Sequence, residues 1–152
     1  MTAPDTPTYI MTESNYWTKL RTLLTNRVYA WKIATSYVKG IPDWWGSGSL
    51  QDLWVENKRI QGDGNPPAML DLTDEKKYLT AHQKLWLCGR HKEGRRVGVI
   101  VFSKVGHLYL PGLAFQNPIS KLEFLDKAMS NKELADLLVN ILGELPIEDQ
   151  KG

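Results

Sequence analysis

Hydrophobic positions along the chain fall into short blocks of two periods. Trp17, Leu20, Leu23 and Leu24 recur at helical spacing, which predicts a helix over about 16–26 capped by Ser14-Asn15. Residues 27–37 (RVYAWKIATSY) mix aromatic and β-branched residues and read as a strand. Pro42 lacks a backbone donor and belongs at a strand start or edge, and Gly46-Ser47-Gly48-Ser49 reads as a turn. Residues 50–60 contain the apolar run Leu53-Trp54-Val55, a buried strand. Residues 61–72, rich in Gly and Pro, form a loop long enough to imply mobility or function. A helix follows over 73–88, with Thr73 or Thr80 as cap and Leu79, Gln83, Trp86 and Leu87 on one face. Residues 93–96 form a turn, and Val97–Phe102 (VGVIVF) is apolar enough for a strand buried on both faces. A short strand is predicted at 107–110 and a loop at 111–118. Residues 121–142 then form an amphipathic region broken near Ser130-Asn131, with a stripe of Leu134, Leu137, Leu138 and Ile141 that packs as core. Helix, strands, helix, strand and helix in that order make an α/β domain with a central mixed sheet flanked by helices. Residues 1–12 read as a flexible tail, 13–110 as the core, and 111–152 as a loop and helical extension of the same domain.

Composition narrows the class. The 152 residues are 42% hydrophobic and 24% charged, as in a folded globule, and no apolar run is long enough to span a membrane. Residues 1–10 lack the basic and apolar blocks of a secretory leader. A single Cys88 forms neither an internal disulfide nor a cysteine zinc site and fits a structural thiol in a reducing compartment, and three His argue against a His-rich zinc site. The expected location is the cytoplasm of a bacterium or of a phage-infected cell. The net charge is only +2, yet residues 1–120 carry 15 Lys/Arg against 10 Asp/Glu, and the rest carry 4 against 7. The densest basic stretch, 76–104, holds eight Lys/Arg and one acid, Glu93, so a polyanion such as nucleic acid is an expected partner; the alternative is a solvated helix face.

Within this frame Asp43 and the run Glu56-Asn57-Lys58 carry the chemistry. Glu56 and Lys58 are two apart on one strand and project from one face. The intervening Gly/Ser turn allows a hairpin that brings Asp43 to Glu56. Two adjacent carboxylates repel and raise the pKa of at least one unless a cation lies between them. Hard oxygen ligands suit Mg²⁺ or Mn²⁺, and a neighbouring Lys can orient a water or offset charge growing on a phosphate. Scattered acids are ordinarily surface charge; what distinguishes these is their place at the end of an apolar strand, where charge is costly.

The four elements Gly40-Ile41-Pro42-Asp43, Val55-Glu56-Asn57-Lys58, Leu79-Thr80-Ala81-His82-Gln83 and Gly94…Val97-Gly98-Val99-Ile100-Val101 resemble, in order, the PD-(D/E)xK nuclease superfamily, closest to small phage and bacterial VRR-NUC-like and junction-resolving endonucleases. The likeness spans about 13–102. It implies a restriction-endonuclease-like core and a divalent-metal-dependent (Mg²⁺ or Mn²⁺) structure-selective DNA endonuclease. It further implies Asp43 and Glu56 as metal ligands with the Asn57 carbonyl as a third oxygen, and Lys58 as the catalytic lysine. Glu13 is either a further acid near the metal or part of a helix start, and Gln83 either faces the site or is an exposed helix polar residue. The long segment between Lys58 and Gln83 departs from the family pattern and would be a lid or a DNA-contacting loop. Lys84, Lys92, Arg95 and Arg96 are candidate nucleic-acid contacts, with solvated placement as their alternative. Trp17, Trp54 and Trp86 read as core, while Trp44-Trp45 pack on the first helix or stack on an unpaired base. Expected partners are branched DNA and, because cutting two strands needs two sites, a second copy of the chain. The alternative function is a non-catalytic nucleic-acid-binding or regulatory module on the same fold.

Overall fold

Val97–Phe102, buried at every position, forms the hub of the protein. The computed structural model describes residues 11–33 and 39–146. Its elements are α1 (Glu13–Leu24), β1 (Tyr29–Lys32), β2 (Trp44–Ser47), β3 (Asp52–Arg59), β4 (Met69–Leu70), α2 (Ala81–Lys92), β5 (Val97–Phe102), β6 (Leu108–Pro111), β7 (Ile119–Ser120), α3 (Lys121–Lys127) and α4 (Asn131–Leu142). Five strands form one sheet in the order β1-β2-β3-β5-β6, parallel between β3 and β5 and antiparallel elsewhere. The parallel pair requires a crossover, which α2 supplies.

Side chains alternate across the pleat, so each central strand feeds two cores. Leu53, Val55, Ile100 and Phe102 pack under α1 and α4 with Trp17, Trp44, Leu134 and Leu138. Val97, Val99 and Val101 pack on the opposite face with Leu79, Leu87, Phe115 and Phe124. The α/β architecture, the two-sided burial of β5 and the break between α3 and α4 are all as the sequence predicts. Leu137 and Ile141 are only half-buried, so the α4 stripe is narrower than predicted.

Other elements differ for identifiable reasons. Helix α1 begins earlier than predicted because the Thr12 side chain, rather than Ser14 or Asn15, accepts the Asn15 N–H at 3.1 Å. Met11 packs against the core, so the predicted tail stops short of it; residues 1–10 lie outside the described ones. Strand β1 is shorter than the predicted 27–37, of which 34–37 lie outside the described residues. The predicted helix over 73–88 is a helix only from Ala81. Asp71 Oδ1 accepts both the Thr73 N–H and hydroxyl, and Asp74 Oδ1 accepts the Lys76 N–H. Such local bonds compete with a helix ladder. The Gly/Pro loop 61–72 is packed down: Leu70 and Leu72 are buried, and Met69–Leu70 pairs with Ile119–Ser120.

The predicted turn at 46–49 sits two residues later, since Gly46 and Ser47 remain in β2. The tip instead caps α4. Ser49 and Leu50 N–H groups donate to the Gly143 and Leu142 carbonyls at 2.9 and 2.8 Å. A helix leaves its last carbonyls unsatisfied, so this hairpin completes α4. A Cβ on Gly48 would collide with those same carbonyls. Gly48→Ala is expected to lower stability by about 1–3 kcal/mol, read as a reduced urea midpoint at unchanged slope; an unchanged midpoint would remove this account of the tip.

Candidate active site

The β2–β3 ladder is in register from Ser47↔Asp52 to Trp44↔Val55. Beyond it, a side chain takes over from the backbone. An Asp43 carboxylate oxygen accepts the Asn57 N–H at 2.7 Å, while the Asp43 carbonyl accepts from the Ile33 N–H at 2.8 Å. Trp44, fully buried under α1, donates its indole N–H to Asn57 Oδ1 at 2.9 Å. These bonds fix the Pro42-Asp43 bend against the end of β3.

On the α2 face of β3, Glu56 is only 1% exposed. Its Oε1 accepts from Gln83 Nε2 at 3.1 Å and lies 3.6 Å from Lys58 Nζ. Its Oε2 is buried without a hydrogen-bond partner. Burial first, and then the neighbouring Asp43 carboxylate, raise the Glu56 pKa far above the usual carboxylate range; the Lys58 charge opposes this. Gln83 serves two purposes. Its Oε1 accepts the Thr80 N–H at 3.0 Å, closing the capping box that starts α2, and its Nε2 holds Glu56.

Glu13 both opens α1 and senses the site. Burial and the Asp43 charge raise its pKa, with Lys58, Lys32 and Arg59 lowering it. Lys32 and Arg59 are therefore part of the site's electrostatic surroundings and were not predicted; Arg59 immediately follows Lys58, and Lys32 pairs in register with Trp44. The Arg59 Nη1 is buried without a hydrogen-bond partner. Asp43, Glu56, Lys58 and Gln83 thus lie together, Gln83 taking the site-facing one of its two expected placements, with Glu13 in their electrostatic range.

The predicted nucleic-acid contacts divide. Lys92, the last residue of α2, and Arg95 and Arg96 of the turn after it are exposed. Lys84 is spent internally, donating to the Thr73 carbonyl and Glu75 Oε1, both at 3.0 Å, which ties the 73–80 segment to α2. Cys88 is a free, half-buried thiol.

The donor set bears on whether a cation fits. Among the described residues no group of three or more His, Cys, Asp or Glu side chains could hold a metal ion. Mg²⁺ commonly takes one or two carboxylates and fills its remaining positions with water and substrate phosphate. An unpartnered buried carboxylate oxygen beside a second carboxylate is compatible with that demand.

No family model and no curated protein matches the chain. Among solved structures it is similar to Hjc, a Holliday junction resolvase of the archaeal hyperthermophile Archaeoglobus fulgidus, at 15% identity over 78% of this chain and 98% of that chain, with a TM-score of 0.50. The likeness is one of fold: a central mixed sheet flanked by helices. No helix among the described residues is long and apolar enough to cross a membrane.

Proposed function

We propose that this chain is a divalent-metal-dependent DNA nuclease of the PD-(D/E)xK kind, cutting branched or otherwise structured DNA from within. The observation that carries the reading is Glu56: a buried carboxylate within β3, one residue past the last β2–β3 pair, one oxygen unpartnered, beside Asp43, Lys58 and Gln83. A fold shared with a junction resolvase supports it and favours the junction-resolving members over the VRR-NUC-like ones.

In this reading Asp43, Glu56 and the Asn57 carbonyl hold Mg²⁺ or Mn²⁺, with Glu13 as a further acid nearby. The cation, when bound, polarises the phosphoryl oxygens and neutralises charge gathering there. Lys58 orients the attacking water and offsets negative charge in the transition state. Gln83 keeps Glu56 in place. Lys92, Arg95 and Arg96 contact phosphates, fixing register without reading sequence. Two copies of the chain cut the two strands, in the cytoplasm, where a lone Cys88 needs no partner.

The test is incubation of four-way junctions, forks and plasmid with Mg²⁺, Mn²⁺ or EDTA. Cleavage is expected with either metal and none in EDTA. Asp43→Ala and Glu56→Ala are expected to cut slower by about 10²–10⁴-fold, the range for removing one positioned catalytic group. Cleavage surviving in these variants overturns the mechanism. Salt-sensitive DNA binding without cleavage in any metal replaces it with the non-catalytic module.

A further inference from the structure

Six tryptophans are divided between the two faces of the sheet. Trp17 of α1 packs on Trp44 of β2 with ring centroids 4.9 Å apart and planes tilted by 37°, both buried. The other four form a row on the opposite face. Cross-strand register aligns Trp31 with Trp45 and Trp45 with Trp54. Facing residues on adjacent strands project from the same side, so the three rings line up across the sheet. Their centroids are 6.1 and 6.4 Å apart, and Trp86 of α2 extends the row at 5.5 Å from Trp54.

The row runs beside the candidate site. Trp54 precedes Glu56 by two residues on the same face of β3, and Trp86 lies about one turn beyond Gln83 on α2. One end is basic: the Arg90 guanidinium sits 5.5 Å from the Trp86 ring centroid. The Trp54 backbone N–H donates to the Arg96 carbonyl at 3.0 Å, joining the strand that carries Trp54 to the exposed turn of Arg95 and Arg96, with Lys92 just before it at the end of α2. Its one nearby acid, Glu93, is neutralised by Arg90 at 2.8 Å. At the other end Trp31, on edge strand β1, is 64% exposed, and its ring meets Trp45 edge-on at 84°. Trp45, Trp54 and Trp86 are half-buried, so the row presents a contiguous and partly exposed aromatic surface, and contiguous apolar surface is what marks an interaction site.

From this juxtaposition we infer that Trp31, Trp45, Trp54 and Trp86 form a stacking platform for the unpaired bases of a DNA strand, with the basic turn holding its phosphates. Aromatic rings interleaved with cations are the recognition chemistry of single strands, because every base presents a π-face. A paired duplex hides those faces, so the platform selects DNA with an unpaired stretch. The inference deepens the nuclease reading and depends on it only for the fate of the strand after it binds. A second copy of the chain is the competing occupant; the basic border and the continuity with the Glu56 face favour nucleic acid.

The test measures binding in EDTA, where no cleavage interferes. Labelled single-stranded, forked and blunt duplex DNA of equal length are titrated with the parent, Trp31→Ala, the double variant Trp31→Ala/Trp45→Ala, and Trp31→Phe. Stacking of one base supports a loss of about 5- to 150-fold for single-stranded and forked DNA in the Ala variants. Duplex affinity is expected to stay within about two-fold, Trp31→Phe to recover most of the loss, and single-stranded DNA to quench the parent's tryptophan fluorescence. Trp31 is exposed, so the single variant keeps the fold even if the double does not. Unchanged single-strand affinity in Trp31→Ala overturns the inference, as does an equal loss for duplex. Conversion of a dimer to a monomer with DNA binding intact overturns it in favour of self-association. If the parent fails to cut in Mg²⁺ yet shows the single-strand preference, the nuclease reading falls and the platform stands; cleavage without that preference gives the reverse.

Discussion

Glu56→Gln is expected to yield a protein more stable than its parent and unable to cut DNA. Glu56 is almost wholly buried, one oxygen has no partner, and Asp43 lies beside it. The amide keeps the shape, can still accept from Gln83, and can donate to Asp43 where the carboxylate repels it. The amide is neutral at every pH and removes the cost of either burying this charge or holding its proton, about 1–4 kcal/mol. The effect has a pH signature. In the unfolded chain Glu56 ionises near 4.5, and in the folded chain well above it. Between those values the native state binds the extra proton, so the parent loses stability as pH rises while the amide variant does not lose this part. The advantage of Glu56→Gln should therefore be small near pH 5 and widen toward pH 8, measured as the difference in urea unfolding between the two proteins. Mg²⁺ is expected to stabilise the parent and leave the variant largely unaffected. A variant less stable than the parent at pH 8 would count against a strained carboxylate pair.

Gly40→Ala is expected to disable cleavage without disturbing either core. Gly40 has φ +85°, and a Cβ there would lie 2.6 Å from the His82 carbonyl carbon and 3.0 Å from the His82 Cβ. The 39–42 loop therefore rests directly on the first turn of α2. An L residue in this conformation costs about 1–2 kcal/mol, and the overlap is with backbone, which cannot rotate away. The loop must lift, and it carries Asp43 three residues on, while Gln83 follows His82 directly. A misplacement of about 1 Å in such a constellation costs on the order of 10²-fold in rate. The expected result is a fall in kcat for junction cleavage with DNA affinity in EDTA retained. Parent-like kcat would show that the close packing of this loop does not position Asp43.

The sequence made the site legible because its residues announce themselves locally. Asp43 and Glu56 flank a hairpin, Lys58 follows Glu56 at strand spacing, and the apolar run before Glu56 marks a buried strand, although that strand continues to Arg59 instead of ending at Glu56. Val97–Phe102 was equally plain, since a short wholly apolar run suits a strand covered on both sides. What stayed hidden depends on distance in the chain. Nothing in residues 73–79 discloses that Asp71 and Asp74 side chains occupy backbone donors and delay the helix to Ala81. The Gly/Pro character of 61–72 masked Leu70 and Leu72, whose burial depends on β7 and α3 fifty residues away. Lys84 looked like its basic neighbours until Glu75 and the Thr73 carbonyl claimed it. The tryptophan row could not be seen at all without the register of β1, β2 and β3, because its members are drawn from three strands and a helix.

One side chain, Gln83, closes the first turn of α2 and steadies Glu56 at once. Helix ends are the first part of a protein to fray. When this end frays, the carboxylate loses its anchor in the same event, while the five-stranded sheet still holds. On the nuclease reading, a chain that is incompletely formed, or beginning to come apart, is therefore disarmed before it is unfolded.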